Sequence, residues 1–241
     1  MANPYFQFKQ FRIEQDRSAM KVTTDSCIFG GWVASQLQAN HQPIHLLDIG
    51  TGTGLLSLMI AQALPLAQIT AVEIDEQAAG QARVNIAQSP WKKRIQVLQA
   101  DIKSLITDNK YEVVVSNPPF YEQDLISPDP VKNQAHHDAS LSFGELIIQL
   151  DRLLTQQGSF FLLLPAKGLA QRVEALQKMG LYPYHLVHLQ HSNDHPVMRI
   201  LLAGSRNVTS NVRREFICIQ EQDGGYSQSI RELLSAYYLA F

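Results

Sequence analysis

Cysteine is scarce in this chain, and its scarcity excludes two kinds of architecture. Only Cys27 and Cys218 occur among the 241 residues, and they lie far apart. Two cysteines cannot build a disulfide framework or a cysteine-based metal centre. We therefore predict two reduced core thiols, no bound metal and a cytoplasmic location.

Long apolar runs are also absent. No uninterrupted apolar stretch reaches the roughly 18 residues that a membrane-spanning helix needs, so we expect no membrane partner. The first residues lack a basic segment followed by an apolar one, so we expect no signal peptide. With 45% apolar and 17% charged residues, the chain has ample material for one core, and we predict a single domain over residues 1–241.

A strong positive charge is missing as well. The net charge of −2 argues against a general nucleic-acid coat, although local basic clusters remain within that balance. These clusters are Lys9, Arg12, Arg17 and Lys21 near the N-terminus, Lys92, Lys93 and Arg94 in the middle, and Arg206, Arg213 and Arg214 near the end. Such clusters either form a solvated surface or contact phosphates, and the sequence does not decide between these two interpretations.

What the chain does contain is a regular alternation of apolar strands with amphipathic helices. Strands are predicted at residues 44–49, 69–73, 95–98, 111–116 and 159–164, and helices at 55–64, 76–88, 143–154 and 170–179. The third helix is expected to be capped by Ser140 or Ser142 and to stop near Gly158. Residues 185–189 and 198–203 are predicted to form a final strand pair. This alternation is typical of a doubly wound α/β fold, so we predict a Rossmann-like, mainly parallel sheet with an antiparallel strand pair near the C-terminus.

Two segments fall outside this alternation. Residues 1–30 form a leader in which Phe8 and Phe11 are either packing residues or a lid over a ligand. Residues 120–140 form a long loop that follows the fourth predicted strand. A loop of that length at the carboxyl end of a strand is usually functional, so we predict that it lies on the substrate side of the fold.

A glycine-rich loop joins the first predicted strand to the first helix, but it lacks one glycine of the dinucleotide fingerprint. Gly50, Gly52 and Gly54 alternate, and Leu55 stands where Gly-x-Gly-x-x-Gly needs its third glycine. Asp48 precedes the loop, and a carboxylate there would repel a pyrophosphate. The loop therefore favours a ligand with positive charge at this point, such as the amino acid moiety of S-adenosylmethionine.

Acidic residues follow the next two predicted strands. Glu73 ends the second strand, where a carboxylate can reach two ribose hydroxyls. Asp101 follows the third strand, where it can accept a hydrogen bond from the adenine amino group of a cofactor, and Ile102 is a further predicted contact. Because the carboxyl ends of parallel strands meet in one crevice, we expect Asp48, Glu73 and Asp101 to line one cofactor site.

Two charged residues at the end of the leader are candidates for the same site. Lys21 is a predicted cofactor-binding residue. Asp25 has two interpretations, because it either caps the helix that follows or lines the cofactor site.

The turn Asn117-Pro118-Pro119-Phe120, after the fourth predicted strand, is the most informative motif. Two prolines fix φ and lack an N–H, so strand and helix both stop there. We predict that the Asn117 side-chain oxygen and the Pro118 carbonyl bind a planar exocyclic amine, and that its ring stacks on Phe120. Tyr121 is a predicted second contact with the substrate. The alternative is a plain turn, since asparagine and proline are common turn formers.

These motifs resemble those of class I S-adenosylmethionine-dependent methyltransferases, in which such a tetrapeptide methylates amino groups. Further segments resemble the tRNA(Val) adenine N6-methyltransferases, and the resemblance covers nearly the whole chain. Those segments are residues 8–11, 16–17, 20–25, 85–91, 117–121 and 226–239. The resemblance implies transfer of a methyl group from S-adenosylmethionine to the exocyclic N6 of the adenine just 3′ of the anticodon, with tRNA as the partner. Phe120 stands where that family often has tyrosine, which keeps the stacking face and loses a hydroxyl.

Three other functions fit part of the pattern. The same turn serves methylation of a protein glutamine, but such enzymes usually carry a helical domain ahead of the fold, and the first strand here is predicted to begin at residue 44. It also serves methylation of a guanine amine in rRNA, in enzymes that often have a duplicated domain. A non-catalytic RNA-binding module with a relic cofactor fold is the alternative from another class. The intact set of acids and Asn117 argues against such decay.

Overall fold

A computed structural model of the protein describes residues 3–18, 21–38, 42–118 and 141–241. The strands are β1 (Tyr5–Gln7), β2 (Arg12–Glu14), β3 (Ile44–Ile49), β4 (Ala67–Glu73), β5 (Ile95–Gln99), β6 (Tyr111–Ser116), β7 (Leu154–Pro165), β8 (Tyr182–Gln190), β9 (Val197–Ser205) and β10 (Arg213–Cys218). The helices are α1 (Thr24–Leu37), α2 (Leu55–Ala63), α3 (Glu76–Ala87), α4 (Phe143–Leu153), α5 (Leu169–Lys178) and α6 (Gln228–Leu234). Within these ranges, no helix has the length and apolar character needed to cross a membrane.

The strands form one eight-stranded sheet and a separate two-stranded hairpin. The sheet has the order β10-β8-β9-β7-β6-β3-β4-β5, and β1 pairs with β2. β9 runs antiparallel to β7 and β8, and the other neighbouring strands of the sheet pair in parallel. The predicted fold class, a mainly parallel α/β sheet with an antiparallel pair near the C-terminus, is confirmed.

Helices cover both faces of the sheet, as a doubly wound fold requires. One apolar cluster joins α1, α2 and α3 to the sheet, and a second joins α4 and α5 to it. Leu46 belongs to the first cluster and Leu47 to the second, because successive side chains of a strand point to opposite faces. Between the two helical layers, β3, β4, β5 and β6 run in parallel, so the connections that follow them begin at one edge of the sheet.

Around residue 154 the structure differs from the prediction. The helix predicted at 143–154 ends at Leu153 and does not approach Gly158, and β7 begins at Leu154 rather than at residue 159, because Leu154 already pairs with Tyr111. Ser142 is the N-cap of α4, and its side chain accepts from the N–H of Glu145. Sequence reasoning also left β10 unassigned, since most of that strand is polar or exposed and it pairs only with the distant β8.

The leader forms the β1–β2 hairpin and packs against the C-terminal tail. The rings of Phe8 and Phe11 stack with their centroids 4.4 Å apart, and both side chains are buried. The Lys9 N–H donates to the Tyr237 carbonyl at 2.8 Å, and the Lys9 ammonium donates to the Phe241 carbonyl at 2.8 Å. Phe8 and Phe11 are therefore packing residues, and the lid interpretation was wrong.

Some members of the basic clusters are occupied within the fold. The Arg94 guanidinium donates to the carbonyls of Ala61 and Leu64 at 2.6 and 2.9 Å, which satisfies the end of α2. Arg206 pairs with Asp151 at 2.6 Å. These two arginines stabilise the packing of helices on the sheet, so they are not free for phosphate contact.

Both cysteines are free thiols, as predicted, although only one lies in the core. Burial raises the pKa of the Cys27 thiol to about 12, so this thiol stays protonated and unreactive at neutral pH. Cys218 is half-buried, and its Sγ donates to Asn193 Oδ1 at 2.9 Å. Within the part of the chain that the structure describes, no group of three or more His, Cys, Asp or Glu side chains is arranged to hold a metal ion.

Candidate active site

Several predicted site residues come together at the edge of the sheet where the parallel strands end. Ile49, the last residue of β3, pairs with Val72 of β4 and with Ser116 of β6. β5 ends alongside β4. The predicted residues at or just after these strand ends are Gly50, Glu73, Asp101 and Asn117. This is the edge at which open α/β sheets bind their ligands.

The glycine loop turns with backbone conformations that favour glycine. Gly50 and Gly52 have φ angles of +72° and +56°, and a side chain added at either position would meet open space. The need for positive φ therefore requires glycine here, and the space beside the loop is open to a ligand. The N–H groups of Gly50 and Thr51 donate to the Val72 carbonyl at 2.9 and 3.1 Å, which ties the loop to β4.

Asp48 is fully buried at the entrance to this loop. Its Oδ2 accepts from the hydroxyls of Thr51 and Ser57, each at 2.7 Å, whereas its Oδ1 has no hydrogen-bond partner among the described residues. Burial raises the pKa of the Asp48 carboxyl to about 6, the two hydroxyls oppose that rise, and the Glu73 carboxylate adds to it. A buried carboxylate with an unpartnered oxygen suits a ligand that carries positive charge.

Glu73 holds the glycine loop in place. Its Oε2 accepts from the Gly52 N–H at 2.8 Å, and its Oε1 accepts from the Asp75 N–H at 3.0 Å. Sequence reasoning placed this acid at the strand end but missed its bond to the loop. The contact with ribose hydroxyls stays a prediction, and it is compatible with these bonds because a carboxylate has about four acceptor positions.

Asp101 and Ile102 follow β5. The Asp101 Oδ1 accepts from the Lys103 N–H at 2.9 Å, and the Lys103 ammonium lies 3.9 Å from Oδ2. The Asp101 side chain is 32% exposed, so it can still accept from a ligand amine. Ile102 is buried in the cluster beneath α4, and its carbonyl accepts from Arg152 at 3.0 Å. Their roles toward the adenine of a cofactor stay predictions.

Asn117 leaves β6 directly beside the glycine loop. The Ser116 hydroxyl donates to the Ile49 carbonyl at 2.8 Å, which joins the ends of β6 and β3. Asn117 is half-buried, and Pro118 is buried. Asn117 therefore emerges about one strand spacing, ~4.8 Å, from the backbone that enters the glycine loop. The predicted residues Phe120 and Tyr121, and the predicted loop at 120–140, lie outside the described residues.

The Lys21 side chain forms hydrogen bonds within the leader. Its ammonium donates to the carbonyls of Gln15 and Ser18, the latter at 3.0 Å. These bonds stabilise the turn before α1. A contact between Lys21 and the cofactor stays a prediction. The two hydrogen bonds would hold the lysine side chain in a fixed orientation for it.

Asp25 is not the N-cap residue of the helix that follows it, but its Oδ1 accepts from the Ser26 N–H at 3.0 Å and so helps to cap the first turn. Thr23 is the N-cap of α1, and its side chain accepts from the Ser26 N–H. Asp25 lies in the first turn, where its charge suits the helix dipole, and its Oδ2 pairs with Arg199 of β9 at 2.9 Å. Asp25 thus joins α1 to the sheet.

Asn85 joins the glycine loop to the leader, a role that sequence reasoning missed. Its Nδ2 donates to the carbonyls of Thr53 and Glu14, and its Oδ1 accepts from the Glu14 N–H, all at 2.9 Å. Gln81, one turn earlier, accepts from the Arg17 N–H at 3.1 Å. Both side chains are buried. The available signal was a pair of amides four residues apart on one face of α3.

Asn85→Ala is expected to lower the free energy of unfolding by about 2–4 kcal/mol, because three hydrogen bonds of a buried side chain are lost and their backbone partners stay unpaired. Urea unfolding measures the loss. The matched control is Arg83→Ala, an exposed change on the same helix, which is expected to alter stability by less than about 0.5 kcal/mol. Equal losses in the two variants would contradict the joining role of Asn85.

The fold and the site together define a class of enzyme. A doubly wound sheet, an open glycine loop and acids at successive strand ends are the features of a class I S-adenosylmethionine-dependent methyltransferase. The residues fit that cofactor, since the unpartnered oxygen of Asp48 suits its ammonium group and the space at Gly50 and Gly52 admits a ligand. The residues that would hold it are Asp48, Gly50, Gly52, Gly54, Glu73 and Asp101.

Comparisons with known proteins agree with this class. The methyltransferase small domain family matches residues 31–172. A protein of Dyadobacter fermentans named tRNA1(Val) (adenine(37)-N6)-methyltransferase is 40% identical, over 99% of each chain. A protein of the same name from Bacteroides thetaiotaomicron is 39% identical, again over 99% of each chain. The chain belongs to the methyltransferase small domain family.

Solved structures share the fold. A predicted O-methyltransferase of Agrobacterium tumefaciens superposes with a TM-score of 0.64 at 18% identity, over 88% of this chain and 96% of that chain. A glycopeptide N-methyltransferase in complex with S-adenosylmethionine superposes with a TM-score of 0.54 at 13% identity, over 73% of this chain and 93% of that chain. These likenesses concern the fold alone. The family and the full-length relatives, by contrast, show that the chain is a methyltransferase with S-adenosylmethionine as its cofactor, as predicted.

Proposed function

We propose that this enzyme transfers a methyl group from S-adenosylmethionine to the exocyclic N6 of an adenine in the anticodon loop of tRNA(Val). The observation that carries the proposal is the position of Asn117, which follows a strand joined to the glycine-loop strand by the Ser116 hydroxyl. The relatives that match the chain along its whole length are named for this activity, which supports the choice of tRNA and adenine.

The role of the Asn117-Pro118-Pro119-Phe120 turn in this proposal is to position the target amine. The Asn117 side-chain oxygen and the Pro118 carbonyl accept hydrogen bonds from the two N–H groups of the amine, which leaves the nitrogen lone pair free to react. Phe120 stacks on the base, and Tyr121 is a second contact with it. The bound cofactor supplies an electrophilic methyl group. Since in-line displacement depends on alignment, holding the amine in place accounts for much of the rate enhancement.

The target base has to leave its stack before it can enter such a site. Unpaired loop bases are the positions that RNA-binding proteins reach most easily, because they splay out and stack on aromatic side chains. An adenine in an anticodon loop meets that requirement. The same proposal places the enzyme in the cytoplasm, where tRNA is available, and treats residues 1–241 as one domain.

The substrate is tested by incubating the enzyme with labelled S-adenosylmethionine and separate pools of tRNA, rRNA and protein from cells that lack the gene. Label is expected in tRNA alone. A transcript of tRNA(Val) is expected to accept one methyl group, and the same transcript with guanine in place of the target adenine is expected to accept none. Label in rRNA alone or protein alone would refute the proposal and indicate a guanine or glutamine amine instead.

A further inference from the structure

An exposed aromatic pair lies on the end strand of the sheet. Phe216 of β10 and His188 of β8 are partners in the strand register, and their rings stack with centroids 4.6 Å apart and planes 19° from parallel. Phe216 is nevertheless 67% exposed. Since His188 covers one face of the phenyl ring, the exposed surface includes the other face. Phe216 and His188 together are called the Phe216 platform below.

The register of the sheet places this platform level with the catalytic turn. The pairs that set the row are Phe216 with His188, His188 with Ile200, Ile200 with Leu164, and Leu162 with Ser116. Leu164 stands two residues beyond the partner of Ser116, at the level of Pro118. The platform is therefore at the same edge of the sheet as Asn117. Four strand spacings separate β6 from β10, which is about 19 Å.

Two exposed cations lie near the platform, one on its own strand and one at the same edge of the sheet. Arg214, two residues before Phe216, projects from the same face of β10 and is exposed, and Lys167 is exposed at the end of β7 on the same edge. Exposed acids also lie at this edge of the sheet: Asp194 is in the connection from β8 to β9, and Glu221 and Asp223 follow the end of β10. Glu215 points to the opposite face, where its carboxylate lies 3.4 Å from His185.

We propose that the Phe216 platform is a stacking site for an unpaired nucleobase of the tRNA that presents its adenine at Asn117. This inference rests on the proposed function, and it names a second point of contact for the same substrate. An aromatic face takes any base, and flanking cations take the phosphates, which is how proteins bind single-stranded nucleic acid. At a stacked rise of about 3.4 Å per nucleotide, ~19 Å corresponds to about six nucleotides, and fewer when the strand is extended.

RNA fits this surface better than a second protein strand. β10 is the last strand of the sheet, so its outer edge is where another strand would add. Two consecutive exposed arginines, Arg213 and Arg214, belong to that strand, and charged side chains oppose pairing with a further strand. Arg213 pairs with Glu215, whereas the exposed charge of Arg214 favours an RNA backbone.

Phe216→Ala is expected to raise the KM for the tRNA(Val) transcript by about 5- to 100-fold, with kcat at saturating tRNA, the S-adenosylmethionine Kd and the Tm unchanged. Phe216→Tyr is expected to keep a KM near that of the wild type, because it keeps the ring. The matched control is Val208→Ala, which removes another exposed apolar side chain (74% exposed) from the connection between β9 and β10, and it is expected to change nothing.

Phe216→Trp supplies a direct readout. Its emission is expected to be quenched when an RNA hairpin with an unpaired loop is added, and to be unaffected by a fully paired RNA of equal length. An unchanged KM in Phe216→Ala, while the wild type still methylates tRNA, would overturn the platform alone. A change from dimer to monomer in Phe216→Ala with unaltered tRNA binding would also overturn it, in favour of a protein interface. If the wild type transfers no methyl group to tRNA, the proposed function fails and the platform fails with it.

Discussion

Asn117→Ala is expected to lower kcat for methyl transfer by about 10²- to 10³-fold or more, while the Kd for S-adenosylmethionine stays within about twofold of the wild type. The side-chain oxygen is one of two acceptors assigned to the target amine, and without it the lone pair is no longer held in line. The cofactor loop is unaffected, because its bonds run to Val72 and Glu73. Single-turnover kinetics and calorimetry measure the two quantities.

A matched control lies at the other end of the same strand. Asn109→Ala changes an exposed asparagine just before β6, and it is expected to leave both kcat and cofactor affinity unchanged. Loss of cofactor binding in Asn117→Ala would refute the role assigned to this amide. Retention of full activity would show that another group holds the amine.

Asp48→Asn is expected to stabilise the cofactor-free protein at pH 8, by up to about 3 kcal/mol. Burial raises the pKa of Asp48 to about 6 from an ordinary value of 3.8, so the folded state binds more protons than the unfolded state between those values. Stability from this group is therefore fully present below about pH 4 and is lost as pH rises through 6. About 2.2 pKa units correspond to roughly 3 kcal/mol. The new amide can still accept from Thr51 and Ser57, but its NH₂ group lacks a partner, so the gain is below that limit.

Urea unfolding of Asp48→Asn and the wild type at pH 8 and at pH 4 measures this effect. At pH 8, the variant is expected to have the higher free energy of unfolding. At pH 4, where the wild-type carboxyl is protonated, this difference is expected to vanish or reverse. Asp108→Asn, an exposed change before β6, is the control and is expected to show no such pH dependence. Destabilisation of Asp48→Asn at pH 8 would contradict the assignment of a costly buried charge.

The same substitution is expected to weaken cofactor binding, because the charge at Asp48 attracts the ammonium group of S-adenosylmethionine. In the wild type, affinity is expected to fall as pH decreases through 6, and to be about tenfold lower at pH 5 than at pH 7. Asp48→Asn is expected to bind weakly with little dependence on pH over that range. Calorimetry gives both Kd profiles, and a pH-independent Kd in the wild type would show that Asp48 does not act on the cofactor through its charge.

Much of the fold was predictable because its signals are local. The strands at 44–49 and 111–116 were predicted with the bounds that the structure has, since buried parallel strands are short apolar runs bounded by turn residues. β10 was not predictable in that way. Only half of its residues are apolar. It pairs with β8, from which it is separated in the chain by β9 and two connections.

The candidate site, like the fold, was predictable only where its signals are local. The common location of Asp48, Glu73 and Asn117 was predictable because each lies at or next to the end of a strand, and parallel strands end at one edge of the sheet. The tie that Asn85 makes between the glycine loop and the leader was missed, because its three partners belong to segments 32 and 71 residues away. Asp25 was ambiguous in sequence, since its ion-pair partner is an arginine of the distant strand β9.

By itself, the sequence determined the alternation of strands and helices over residues 44–203, the glycine loop and the stop at the Asn117 turn, because periodicity, positive φ and proline act over a few residues. Only the tertiary structure decided which strands are neighbours, that Asp48 is fully buried and titrates near pH 6, and that Phe216 lies level with Pro118. These properties depend on residues far apart in the chain and on the removal of water from between them, and neither is encoded in any short stretch.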